Sequence, residues 1–139
     1  MKTRILFTLA LLLSLGLGAQ DFKGATVTVT LENVLNDQGD ILAALHTDQT
    51  FMKGAGIKNF KAGASPGSLT FTFENVTPGT YAVSVLHDLN SNERMDFESN
   101  GMPSEPYGMS GNDMAMGPPT FGGAAFEVGW DDVELHIRF

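Results

Sequence analysis

The chain has no cysteine. Disulfides, thiolate nucleophiles and cysteine-based zinc sites are therefore excluded, and any fold must rest on a packed core or a bound ion. Basic residues are scarce: 8 Lys and Arg stand against 16 Asp and Glu, for a net charge of −8. Such a surface repels phosphate backbones and anionic lipid, so nucleic-acid binding is not expected. Past residue 20 the sequence lacks an apolar run of membrane-spanning length and an amphipathic helical period. No Gly-rich phosphate loop follows a strand, and none of Ser84, Ser91, Ser104 and Ser110 sits in a nucleophile elbow. The expectation is a non-catalytic protein.

The first residues have the pattern of an export signal. Lys2 and Arg4 precede an apolar run from Ile5 to about Leu17, and small residues follow. Residues 1–19 read as a cleaved signal peptide and 20–139 as a single domain. The expected location is outside the cytoplasm: periplasm, cell surface or medium. No membrane insertion is expected after cleavage.

Residues 20–139 carry a β-strand period. In Ala25–Val34, Val27, Val29 and Leu31 alternate with Thr26, Thr28 and Thr30. Asn36 to Gly39 reads as a turn, and Asp40–His46 as a more uniformly apolar strand. Thr47–Pro66 is loop-rich. Ser68–Val76 points Leu69, Phe71 and Phe73 inward; Thr80–His87 points Tyr81, Val83 and Val85 inward, and His87 continues that face. Pro78-Gly79 between them suggests a hairpin. A long loop runs from Asp88 to about Thr120, too rich in methionine and aromatics for a solvated tail. Ala124–Val128 and Asp131–Phe139 complete the pattern. The fold class is all-β: an immunoglobulin-like or transthyretin-like sandwich of six to seven strands with one long ordered loop, 88–120.

That loop opens with oxygen-bearing side chains at alternating places. Asp88, Asn90, Asn92 and Asp96 stand first, third, fifth and ninth, with the Arg94 carbonyl seventh. A chain wrapped around a hard cation presents oxygens at this spacing, so calcium is the expected ion. Two places depart from the usual loop. The sixth, where glycine makes the sharp turn, is Glu93; the twelfth, where a bidentate glutamate closes the shell, is Ser99. Glu98 lies one residue early and is the substitute ligand, while His87 is expected to orient the first carboxylate. An alternative uses softer donors: His46 and His87 end strands, and Met114 and Met116 lie in the long loop, a set suited to copper or zinc. Trp130 and Tyr107 are candidate stacking surfaces for a glycan, and the partner is expected to be a protein or a glycan.

Two resemblances add to this. Phe73–Asp88 (FENVTPGTYAVSVLHD) resembles the strand-turn-strand of Cna-B, carboxypeptidase-regulatory and transthyretin-like sandwiches, mostly non-catalytic modules. His87–Asn92, Met102-Pro103 with Glu105 and Tyr107-Gly108, and Gly117–Phe121 together resemble the domain of unknown function 2141 family of exported bacterial proteins. That resemblance implies export and a β-domain, and carries no agreed activity.

Overall fold

The computed structural model describes residue 21, residues 23–112 and residues 117–139. The expected signal peptide, and Met114 and Met116, lie outside the described residues. Eight strands form: β1 Ala25–Val34, β2 Asp40–His46, β3 Lys58–Gly63, β4 Gly67–Val76, β5 Gly79–Asp88, β6 Tyr107–Met109, β7 Phe126–Val128 and β8 Val133–Arg138. A single helical turn, Phe121–Ala124, is capped by Thr120, whose hydroxyl accepts from the Gly123 N–H. Among the described residues no helix is long and apolar enough to cross a membrane.

The strands make an all-β sandwich. The smaller sheet has the order β4-β1-β8, with β1 antiparallel to β4 and parallel to β8. The larger has the order β3-β2-β5-β6, and β7 joins the same flank of β5 nearer its start. The core lies between them because alternation turns one face of each strand inward. Val27, Val29 and Leu31 of β1, Ile41 and Leu45 of β2, Val83 and Val85 of β5, Phe71 and Phe73 of β4, and Ile137 of β8 are all buried. Phe60 stacks on Phe71, joining the two sheets at their β3 and β4 edges. Truncating any one of these large side chains costs about 2–5 kcal/mol.

Alternation set the faces correctly but not the pairing. β4 and β5 do not form the expected hairpin: β4 pairs β1 in one sheet and β5 pairs β2 in the other. The Thr77-Pro78 connection crosses between layers, and Asn75 enters it in the left-handed region at φ 55. Further boundaries differ. The stretch read as loop after Thr47 contains β3, which β2 holds at the sheet edge. The long loop contains β6 and a 3-10 turn, Ser110–Asn112, and the helical turn at Phe121–Ala124 follows it. The expected strand at Ala124 begins only at Phe126, and the last strand begins at Val133.

The outer face of the larger sheet carries a second, small core. Phe51, Ala82 and Ala124 pack with Met109 and Phe121, so the segment after β6 folds back over β5. At the opposite end of β5 the β1–β2 turn presses against Asp88. Gly39 has φ 66, and a Cβ there would overlap the Asp88 carbonyl oxygen. Gly39→Ala therefore combines left-handed strain with a backbone clash at the root of the long loop. A loss of about 2–4 kcal/mol in urea unfolding is expected, well beyond a surface substitution.

Candidate functional site

Asp88 ends β5 opposite Asp40 of β2 and is 0 % exposed. A buried carboxylate is tolerated only where donors replace water. Here the donors come from its own loop: Asp88 Oδ1 accepts the Asn92 N–H at 3.2 Å and Oδ2 accepts the Glu93 N–H at 2.7 Å. Asn90 and Asn92 tighten the same turn. Asn90 Oδ1 accepts the Asn92 N–H at 3.3 Å, and Asn92 Oδ1 accepts the Arg94 N–H at 3.2 Å. Both are Asx-turns, in which a short side chain stands in for a backbone acceptor.

The other ends of these amides meet on Asp96. Asn90 Nδ2 donates to Asp96 Oδ2 at 2.7 Å, and Asn92 Nδ2 donates to Oδ2 at 2.9 Å and Oδ1 at 3.0 Å. Four of the expected site residues, Asp88, Asn90, Asn92 and Asp96, thus form one connected cluster. Arg94 lies on the same turn and is exposed. Glu93 occupies the sixth place with φ 62, and Ser91 has φ 56. The left-handed turn that glycine usually supplies there is made by a glutamate. Its carboxylate reaches out of the turn to Lys61 Nζ at 2.8 Å. That bond, and then Asp40 at 3.6 Å, hold the Lys61 ammonium above its ordinary range.

Glu105 completes the arrangement, and sequence spacing gave it no role. It is 6 % exposed; Oε1 accepts the Leu89 N–H at 2.9 Å and Oε2 accepts the Asp96 N–H at 3.1 Å. One carboxylate therefore clamps the second and the ninth residue of the loop. The chain returns to this point through a narrow excursion, with Phe97 bridging Pro103 and Ser104 donating its N–H to the Asp96 carbonyl. Glu98 lies on that excursion, exposed, in a turn where its carbonyl accepts the Gly101 N–H. The buried carboxylate facing the loop is that of Glu105, not Glu98. The only sequence signal for it was its place in the Met-Pro-x-Glu-x-Tyr-Gly motif.

His87 does not orient Asp88. Neighbouring residues of a strand point to opposite faces, and the His87 ring lies inside, stacked on Phe139. Its Nε2 bonds the Gln38 carbonyl at 2.7 Å, which assigns the proton to Nε2, and Nδ1 is buried without a hydrogen-bond partner. Nor do His46 and His87 meet. β2 and β5 are neighbours but antiparallel, so His46 faces Ala82 while His87 faces Ile41 five positions further along β5. That separates them by roughly 17 Å. Among the described residues, no three His, Cys, Asp or Glu side chains gather as a metal-ligand group. The oxygen cluster consists of carboxylates and amides together.

His46 instead anchors the small outer core. Its Nε2 is 3.0 Å from Ser84 Oγ, its Nδ1 is 3.2 Å from Thr50 Oγ1, and its ring meets Phe51 edge-on. Burial pushes its pKa below the ordinary value of 6.5; a hydrogen bond from the ring to the Thr50 backbone opposes this more weakly. Elsewhere, a groove of about 730 Å³ lies between β6 and β8, lined by Tyr107, Met109, Pro118, Pro119, Arg138 and Phe139 among others.

The architecture is that of a small all-β domain whose longest loop is folded onto two buried carboxylates. The chain belongs to DUF2141, described as an uncharacterized protein conserved in bacteria, and the match covers residues 29–136. Neither a curated protein nor a solved structure matches it. The matched span contains all of the loop cluster.

The His46 environment predicts an acid limit. The unfolded chain takes up an imidazole proton near pH 6.5, and the folded chain resists it until lower pH. This contribution to stability is complete above that value and is lost as pH falls through the folded-state pKa. In His46→Gln the part of the stability slope that begins below pH 6.5 should disappear, as read from urea midpoints at successive pH values.

Proposed function

We infer that this is an exported, non-catalytic β-sandwich module whose 88–105 loop takes up a calcium ion and presents a surface to a protein or glycan partner. The single observation that carries the reading is the turn at Asp88. A first-place carboxylate accepts the N–H groups of the fifth and sixth residues, and the sixth is left-handed. A calcium-binding loop needs this backbone path so that alternate side chains face one centre. A glutamate bearing the strain of that φ implies that the path matters more here than the residue's own preference.

The donor set is hard, as calcium requires. Asp88, Asn90, Asn92 and Asp96 supply carboxylate and amide oxygens, and Glu105 lies beside them in place of the missing twelfth-position glutamate. Asn90 and Asn92 point their Nδ2 groups at Asp96. Turning each amide about its last torsion presents oxygen instead, and the Asx-turn bonds to the Asn92 and Arg94 N–H groups are given up in exchange. An ion at this centre would replace the three amide-to-Asp96 hydrogen bonds. It would offset the mutual repulsion of the carboxylates and the entropy of ordering the loop.

The role is mechanical. Binding to the folded state alone becomes folding stability by mass action. With few charged ligands, a dissociation constant of about 10⁻⁴–10⁻³ M is expected. At roughly ten to a hundred times that concentration the gain is about 1.4–2.7 kcal/mol. The groove between β6 and β8 supplies concave surface near the loop's return strand for a partner.

Thermal melts of metal-stripped protein, with calcium added or with chelator, test this. A rise on the order of 5–10 °C is expected. Asp96→Asn should abolish the rise while leaving the melt in chelator nearly unchanged, since the amide keeps one acceptor for the asparagine donors. Identical melting with and without calcium would refute the reading.

A further inference from the structure

The outer strands of the two sheets are guarded very unequally. β3 carries Lys58 and Lys61 along its edge. β6 and β7 are only three residues long each. β8 alternates Glu134, His136 and Arg138, and its end closes against β6, where a Cβ on Gly108 would meet Ile137 and the Arg138 carbonyl. Charge, shortness and cover are the usual means of stopping one edge from pairing with another.

β4 has only one of them, the charge of Glu74 near its end. It is ten residues long and forms the edge of its sheet. Gly67 to Phe73 contains no charge and no proline; Glu74 is the first ionised residue. Its register with β1 runs unbroken from Phe73 opposite Val27 to Leu69 opposite Leu31, so no bulge turns this stretch aside. Phe71 and Phe73 are locked in the core, and Thr70 and Thr72 are exposed on the other face. Among the described residues, β4 pairs with no strand but β1. Every second residue therefore points its N–H and C=O away from β1, where a further strand could pair.

We propose that β4 is a strand-addition edge and that it pairs with β4 of a second copy of this chain, antiparallel, about a two-fold axis near Thr70. An antiparallel edge is complementary to itself under a two-fold, because donors and acceptors exchange across the axis. A foreign peptide gains specificity from pockets for its alternate side chains. β4 has none to offer, because its inward residues already fill its own core.

Charge favours the same contact. The chain carries −8, so two copies repel over most of their surface. The stretch Gly67–Phe73 is neutral. With the axis at Thr70, the two Glu74 residues lie roughly 27 Å apart, well beyond a Debye length of about 8 Å. The product is one continuous six-stranded sheet, in the order β8-β1-β4-β4-β1-β8. A single strand pair is a small interface, so the dimer is weak, with dissociation in the micromolar to millimolar range.

Sedimentation equilibrium of the chain over that concentration range tests the proposal, alongside Thr70→Lys. Thr70 is exposed and its side-chain hydroxyl lies 3.3 Å from that of Thr30, a surface pair, so the substitution is expected to leave the fold intact; an unchanged melt of dilute protein verifies this. The wild type should show a reversible monomer–dimer equilibrium. At low salt, Thr70→Lys should raise its dissociation constant at least tenfold, because like charges then face each other across the axis. A wild type that stays monomeric throughout, or a variant that dimerises equally well, would overturn the proposal.

Discussion

The long loop depends on one buried carboxylate. Asp88 leaves water at the last position of β5, and its two oxygens are satisfied by the Asn92 and Glu93 amides. That requirement bends the chain back at once and places Glu93 in the left-handed region. Glu105 repeats the device from the other side, closing on Leu89 and Asp96. A stretch with almost no regular structure is thereby tied to the strand it leaves. The β1–β2 turn is fitted to the same point, since Gly39 lies against the Asp88 carbonyl. Losing the carboxylate would remove the acceptor of two backbone donors at once, each worth about 1–3 kcal/mol when left buried and unsatisfied.

This economy fits a chain without cysteine. A domain of this size has one main core, and it has no disulfide to pin its loops. Buried charge with backbone donors is one remedy; a bound cation at the same centre is another, and the two are compatible because carboxylate oxygens hold several lone pairs. The edges show the same economy in a different form. β3 and β8 are charged and β6 and β7 are short, which leaves the Gly67 to Phe73 stretch of β4 as the long uncharged edge among the described strands.

Much of the fold was legible from alternation alone. Val27, Val29 and Leu31, and likewise Phe71 and Phe73, point inward as their spacing requires. Pairing was not legible, because a period of two says which face is buried and nothing about which strand lies alongside. Hence the expected β4–β5 hairpin is a crossing between sheets, and His46 and His87 sit at opposite ends of adjacent strands. β3 was missed because its sequence, KNFKAG, offers only Phe60 and Ala62 to the inner side. In the loop, places one, three, five and nine were readable as a local pattern. Glu105 was not, since its position depends on the excursion closed by Phe97 and Pro103.

The central claim is that the 88–105 loop is held by its buried carboxylates rather than merely surrounding them. Amide hydrogen exchange at Leu89, Asn92, Glu93 and Asp96 measures this directly. All four residues lie in or beside an exposed loop, yet each donates its N–H to an acidic or amide oxygen. Protection of at least about a hundredfold over the unfolded chain, in protein stripped of metal, is the predicted result. Exchange of these four amides at the unfolded-chain rate, with the β1 and β5 amides still protected, would contradict it.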